Sequence, residues 1–253
     1  MMKKLIVINR ENKMVAERLE KLSELKIRIF GVEALRAMKK IYPYATLSSL
    51  TELPPQVLSR YVTGRFLPNV DRAKLFINLF KKHVLTEAVL RNIEIKDNVV
   101  AVAKLLSNVG LLSQIAKVAA GNYAEKGVSV VLTKETDGVP LATLIAAELD
   151  AKLVIAKRRK EIGIEEFMEV RQTYPSGIYG YLYIPKKIVN KGDNVLIVDD
   201  IIRSGSTVKA LIRFCESVKA DIAGVYAILS VGEGVDRIAR EHGIRIETIV
   251  RIT

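Results

Sequence analysis

From Ile93 to the carboxyl end, short aliphatic and β-branched runs alternate with amphipathic stretches of helical length. The runs are Val128–Leu132, Leu153–Ala156, Tyr179–Ile184, Val195–Val198, Val225–Ser230 and Ile246–Ile252; helices are expected at 101–124, 139–149, 207–219 and 233–242. Continuous apolar runs have no polar face to turn to water, so strands made of them must be covered on both sides. Crossover helices supply that cover. The expected fold class is α/β, a parallel sheet flanked by helices.

Residues 1–86 have a different texture. Apolar residues at 14, 15, 19, 22 and 25, then at 32, 35, 38 and 41, follow the helical period, and Leu75–Leu90 repeats it. An all-α domain over 1–86 and an α/β domain over 87–253 are expected. The boundary falls within 83–95, where no Gly/Pro linker occurs and a continuing helix would serve as the join. Charge divides at the same place. Of a net charge of +12, residues 1–86 carry 17 Lys/Arg against 7 Asp/Glu, while 87–253 carry 23 against 21. A nucleic-acid-binding module joined to a near-neutral domain is therefore expected.

Scarcity argues against several other classes. No apolar run approaches the ~18–20 residues of a bilayer-spanning helix, and Leu5–Ile8 is too short for a signal-peptide core. The lone Cys215 cannot form a disulfide framework, and two histidines, His83 and His242, argue against a His-rich metal centre. A soluble, cytoplasmic protein is expected, with no membrane partner, no metal site of its own and no tightly bound cofactor.

The most informative stretch is Val195-Leu196-Ile197-Val198-Asp199-Asp200-Ile201-Ile202-Arg203-Ser204-Gly205-Ser206-Thr207. Four aliphatic residues form a buried strand, and the carboxyl ends of such strands face the ligand crevice of an open sheet. Two adjacent carboxylates, Asp199 and Asp200, stand at that end. Small residues then lead into a helix whose first N–H groups and positive end make a phosphate seat. Neither Gly-x-x-x-x-Gly-Lys-Ser/Thr nor Gly-x-Gly-x-x-Gly occurs here, so the loop is neither a Walker nor a Rossmann loop.

This 13-residue string resembles the phosphoribosyl pyrophosphate (PRPP) motif of type I phosphoribosyltransferases. The resemblance implies their fold for the second domain. It implies that Asp199 and Asp200 accept the ribose hydroxyls while Arg203, Ser204, Gly205, Ser206 and Thr207 surround the 5′-phosphate. Thr133–Ala142 is similar to the pyrophosphate loop of the same family, which adds Thr136, Asp137 and Gly138 as ligand-binding residues. Lys157 and Arg158, followed by Arg159 and Lys160, are cations placed to meet the pyrophosphate. Residues 161–183 correspond to the family's mobile loop, and Tyr174, Tyr179, Tyr181 and Tyr183 within it are expected to pack as strand residues. Mg²⁺ is implied only in the company of PRPP, held mainly by the ligand's own oxygens.

One position departs from the enzymes. The ninth motif residue is often Asp in purine-using members and a small hydroxyl residue in orotate-type members; here it is Arg203. A cation there opposes the positive charge that transfer builds on the ribose. A basic residue instead resembles the non-catalytic purine repressors of Bacillus type and the archaeal phosphoribosyltransferase-like regulators.

The first domain fits that second group. Thr46–Leu53 reads as a short helix, Pro54-Pro55 as a turn into a first helical position, and Gln56–Thr63 as a second helix stopped by Gly64 with Pro68 beyond. Val57, Leu58, Tyr61 and Val62 form its apolar face. Gln56, Ser59, Arg60 and Thr63 form a polar face of residue types that read base edges and grip phosphates. Leu58-Ser59-Arg60-Tyr61, with Gly64 and Pro68, resembles the recognition helix of Cro/repressor-type helix-turn-helix domains, with Glu52 where glycine often makes the turn. Together the resemblances imply a DNA-binding transcription regulator without catalytic residues, sensing PRPP or a related ribose phosphate or nucleotide. A homodimer is expected, to match a two-fold operator in duplex DNA. The alternatives are a catalytic orotate- or purine-type phosphoribosyltransferase with an amino-terminal extension, and a ligand-binding module whose basic arm contacts RNA or another acidic partner.

Overall fold

The computed structural model describes residues 2–97 and 99–252, with side chains at Arg18 and from Glu20 onward. The chain divides into two compact units, Met1–Leu85 and Thr86–Thr253.

In the first unit, the two helical stretches read before Tyr42 are one helix, α1 (Met2–Lys39). No proline lies between them to break the hydrogen-bond ladder. Met14, Val15 and Leu19, counted above in its apolar spacing, lie outside the described side chains. From Phe30 onward the helix buries one face through Phe30, Ala34, Leu35 and Met38. Two short helices, α2 (Tyr44–Thr51) and α3 (Pro55–Val62), and the longer α4 (Val70–Phe80) complete the core. Leu47, Leu58, Tyr61, Phe76 and Phe80 are buried there, with the Tyr61 ring edge-on to Phe76 at 5.8 Å. Three of the arginines counted in the charge excess are used internally. Arg36 Nε donates to the Val62 carbonyl (2.7 Å), Arg28 Nε to the Pro68 carbonyl (2.6 Å) and Arg72 Nη1 to the Tyr61 hydroxyl (2.8 Å). A π-helical turn, Lys81–Leu85, ends the unit.

The second unit begins with α5 (Thr86–Arg91) and an antiparallel pair, β1 (Glu94–Lys96) and β2 (Val99–Ala101). The single helix expected over 101–124 is two, α6 (Ala103–Ser107) and α7 (Val109–Tyr123). Asn108 makes the break: its Oδ1 accepts the Leu111 N–H (3.1 Å), an N-cap that starts a new helix. Then come β3 (Val130–Lys134), α8 (Val139–Leu149) and β4 (Lys152–Ala156). The segment read as a mobile loop contains an antiparallel ribbon, β5 (Phe167–Thr173) and β6 (Tyr179–Pro185), paired from Phe167/Pro185 to Thr173/Tyr179. Its apolar content alternates, so Val170, Leu182 and Ile184 are buried while Tyr179 and Tyr181 face outward. The last third is β7 (Asn194–Ile202), α9 (Ser206–Val218), β8 (Asp221–Val231), α10 (Gly234–His242) and β9 (Ile246–Ile252).

Five strands form one all-parallel sheet in the order β4-β3-β7-β8-β9. Alternate residues Val130, Leu132, Val195, Ile197, Val225 and Ala227 share one buried cluster with Val208, Leu211, Ile212 and Phe214 of α9, Ile238 of α10 and the inner face of the ribbon. Helices α7 and α8 pack on one another and on β3, β7 and β8. The register places the opening. β3 pairs with β4 along its whole length but with β7 only from Val130/Val195 to Leu132/Ile197. β7 runs on beside β8 as far as Ile202. Beyond Leu132 and Ile197 the two central strands part, which is the switch point where open α/β sheets take their ligands.

Candidate functional site

A cleft of about 580 Å³ opens at that switch point, bordered by the carboxyl ends of β3 and β7, the loop before α8 and the apolar segment Val100–Ala103. A contiguous space of about 240 Å³ continues it around Arg203–Thr207. Strand β7 extends past Val198, so Asp199 and Asp200 sit within it rather than after it, and both border the cleft. Asp199 Oδ1 accepts the Asp200 N–H (3.1 Å). Burial and the neighbouring Asp200 charge hold the Asp199 carboxyl well above the usual carboxylate range. Burial also raises Asp200, against the lowering effect of its hydrogen bonds to Asp199 and to backbone N–H groups. The pair is therefore costly to ionise until a ligand supplies donors.

Two glycines set how closely backbone approaches this pair and the loop beyond it. A Cβ on Gly138 would stand 2.6 Å from Thr133 Oγ1 and 3.1 Å from Asp199 Oδ1. Gly205 has φ +72°, and a Cβ there would stand 2.0 Å from Ile238 Cδ1. Gly205 lets the chain turn from β7 into α9 while the loop stays against α10. Ser206, Thr207 and the first N–H groups of α9 thus face the smaller space, in the arrangement that seats an anion.

Positive charge borders the cleft through Lys134, Arg158 and Arg203. Burial, then the Arg158 charge, lowers the Lys134 ammonium from its usual range, and Asp199 and Glu135 partly offset this. The Arg158 N–H donates to Glu135 Oε1 (2.7 Å), and the Glu135–Thr136 peptide bond is cis. Arg203 Nη2 donates to the Val100 carbonyl (2.7 Å), and among the described residues no carboxylate pairs with it. Thr136, Asp137 and Gly138 border the same cleft.

Of the cationic tetrad, only Arg158 borders the cleft. Lys157 lies outside the lining of the cleft: its ammonium pairs with Glu161, and its backbone bridges to Tyr183. Lys160 pairs with Glu169 (2.7 Å). Three of the four tyrosines are strand residues of β6; of these Tyr179 and Tyr181 are exposed and pack edge-to-face on each other at 6.0 Å, with Arg171 over the Tyr179 ring. Sequence reasoning missed the hood Val100–Ala103, and did not assign to the site Lys134, although it lies within the Thr133–Ala142 segment, or Gln172 and Tyr174. The latter two reach the Ser204–Thr207 loop from β5 and the residue after it.

Among the described residues, no group of three or more His, Cys, Asp or Glu side chains is placed to hold a metal. Asp199 and Asp200 are hard oxygen donors at the cleft, and both resist ionisation. The donor set suits a Mg²⁺ carried mainly by a ligand's phosphates, with these carboxylates completing its shell.

In the first unit, α2 ends at Glu52 with φ +57°, Leu53 and Pro54 make the turn, and α3 starts at Pro55. Ser48 Oγ donates to the Leu53 carbonyl across that turn (2.7 Å). Gln56 and Arg60 are exposed on α3 and Thr63 is exposed at its C-cap, Ser59 is half-buried beside them, and Leu58 and Tyr61 face the core.

A parallel sheet, a switch-point cleft and a loop at a helix N-terminus define a class of α/β domains that hold anionic ligands at the sheet's carboxyl edge. Within that class the family is shown: the model of the phosphoribosyl transferase domain matches residues 101–246, and the chain belongs to this family. The purine biosynthesis transcriptional repressor of Bacillus subtilis is 33% identical over 135 residues, 52% of this chain and 46% of the repressor. The chain thus spans under half the length of that relative. A hypoxanthine/guanine phosphoribosyltransferase of Methanothermococcus okinawensis is 33% identical over 129 residues, 51% of this chain and 68% of the enzyme. A xanthine phosphoribosyltransferase of Streptococcus pyogenes is 29% identical over 183 residues, 70% of this chain and 92% of the enzyme. Among solved structures, the adenine phosphoribosyltransferase of Rhodothermus marinus superposes with TM-score 0.59 at 20% identity, covering 66% of this chain and 98% of that one; the likeness is one of fold.

Proposed function

We propose that the chain is a DNA-binding transcription regulator whose second unit senses PRPP or a related ribose phosphate or nucleotide without consuming it. The observation that carries this reading is Arg203. Its guanidinium borders the cleft, anchored on the Val100 carbonyl and without a carboxylate partner among the described residues. Glycosyl transfer develops positive charge on the ribose, and an uncompensated cation in the same cleft raises that barrier while favouring a stably bound anion. In this reading Asp199 and Asp200 accept ribose hydroxyls, and the Ser204–Thr207 loop holds the 5′-phosphate. Thr136–Gly138 and Arg158 hold the pyrophosphate. Mg²⁺ would neutralise that pyrophosphate when it enters with the ligand.

The exposed polar face of α3, on a unit with a large excess of Lys and Arg, supports duplex DNA as the partner of the first unit. A homodimer matches a two-fold operator. Ligand acts only through unequal affinity for DNA-competent and DNA-incompetent states. A catalytic purine-type phosphoribosyltransferase is the second reading, favoured by the hypoxanthine/guanine and xanthine enzymes among the relatives. Purified full chain incubated with PRPP, Mg²⁺ and each common nucleobase separates the two. No nucleotide is expected, together with PRPP-dependent retention of a promoter fragment from the protein's own gene; steady nucleotide formation overturns the regulator reading.

A further inference from the structure

Gln172 is one of few polar side chains in the core, with 2% of its surface exposed. It projects from β5 to the loop that opens α9. Its Nε2 donates to Ser206 Oγ (3.2 Å) and to Thr207 Oγ1 (3.0 Å), and its Oε1 accepts from the Tyr174 hydroxyl (3.2 Å). A primary amide carries two N–H hydrogens, so each loop hydroxyl receives one. A hydroxyl that accepts on the Gln172 side has its own hydrogen free for another partner. Among the described residues, neither Ser206 nor Thr207 gives that hydrogen to a protein acceptor. Both therefore have it to offer to the space at the start of α9.

We propose that Gln172 is a positioning residue that polarises the loop, fixing Ser206 and Thr207 as two outward O–H donors selective for a dianionic phosphate monoester. The proposal rests on the reading of Ser204–Thr207 as a phosphate seat. Left to themselves, the two hydroxyls rotate among several partners and must be oriented toward the anion as it binds. The Gln172 amide removes that choice. Tyr174 removes the remaining ambiguity, because its donated hydrogen holds Oε1 away from the loop and keeps the amine end toward it. With the positive end of α9 behind them, two fixed donors favour the more highly charged form of the ligand.

The test uses the full chain and ribose 5-phosphate, with unphosphorylated ribose as the control, titrated calorimetrically from about pH 5.5 to 8 across the second phosphate ionisation near 6. Wild-type affinity is expected to rise through that ionisation. Gln172→Glu replaces the donating amine with an acceptor, turns both hydroxyls inward and sets a negative charge behind the seat. An affinity loss of about ten- to a hundred-fold near neutral pH, with the pH dependence flattened or reversed, is expected. Tyr174→Phe deletes only the hydroxyl that orients the amide and lies outside the sealed core. It is expected to lose about two- to five-fold, and it keeps the proposal testable even where Gln172→Glu does not fold. Unchanged affinity and an unchanged pH profile in whichever variants fold overturn the role of Gln172 while leaving the phosphate seat standing. Failure of the wild-type chain to bind ribose 5-phosphate better than ribose overturns the phosphate-seat reading, and the Gln172 proposal with it.

Discussion

Replacing Gly205 with alanine tests whether this loop is built as described. The substitution meets two separate obstacles. The residue sits at φ +72°, where an L side chain is strained by roughly 1–2 kcal/mol. The added methyl also lands 2.0 Å from Ile238 Cδ1, inside a side chain with no exposed surface, and overpacking of this kind costs about 1–3 kcal/mol. Stiffening of the unfolded chain returns only about 0.4–1 kcal/mol. The net loss is roughly 1–4.5 kcal/mol, a fall of about 2–18 °C in the melting temperature of a unit of this size. Calorimetry on the full chain measures it. Ile238→Val deletes the Cδ1 methyl that the new Cβ would strike, at about 0.5–1.5 kcal/mol on its own. The double variant should therefore recover about 1–3 kcal/mol relative to the sum of the singles, leaving mainly the backbone strain. Additive single effects would refute the proposed contact between the loop and α10, and a near-neutral Gly205→Ala would refute both obstacles.

Three further outcomes are expected. The Asp199 carboxyl, raised by burial and by Asp200, holds its proton to higher pH in the native chain than in the unfolded one. Its contribution to stability is thus present below the ordinary carboxylate range near 4 and is lost as pH rises through the raised native value. Asp199→Asn should melt higher than wild type at neutral pH, with the gap closing on acidification; a gap independent of pH would contradict this. Glu52 occupies a left-handed position at φ +57°, so Glu52→Gly should raise the stability of the first unit by up to about 1 kcal/mol in urea titration. Arg60 stands exposed on α3, and Arg60→Ala should cost roughly 1–3 kcal/mol in duplex binding if it contacts a base edge, read by fluorescence anisotropy at fixed salt. Equal affinity and equal salt dependence in Arg60→Ala and wild type would remove α3 from the DNA interface.

Most of the sheet was legible because its strands are apolar on both faces, and that pattern has few alternatives. Each of the six apolar runs became a strand, five in the parallel sheet and Tyr179–Ile184 in the antiparallel ribbon, with β7 running four residues past its expected end and β8 starting four residues before its expected start. β5 was missed because Phe167–Thr173 is buried on one face only and interleaves Glu169, Arg171 and Thr173 with its apolar residues. β1 and β2 were missed because three residues are too few to show a period. The break at Asn108 was hidden by apolar residues on both sides that continue the helical spacing.

Sequence by itself determined that a loop of small residues and a helix follow a carboxylate pair at the end of a buried apolar run, because run, loop and helix are contiguous. It also determined where the excess charge lies. The tertiary structure decided which charges remain free. Arg28, Arg36 and Arg72 are engaged inside the first unit, and Lys157 is drawn to Glu161 while Arg158 borders the cleft. It also decided what stands behind the Ser204–Thr207 loop, bringing Gln172 to Ser206 and Thr207 across more than thirty residues of chain. Local sequence fixes the conformations that a few neighbouring residues adopt. Which side chains then meet depends on how strands part and ribbons fold back, and no run of adjacent residues records that.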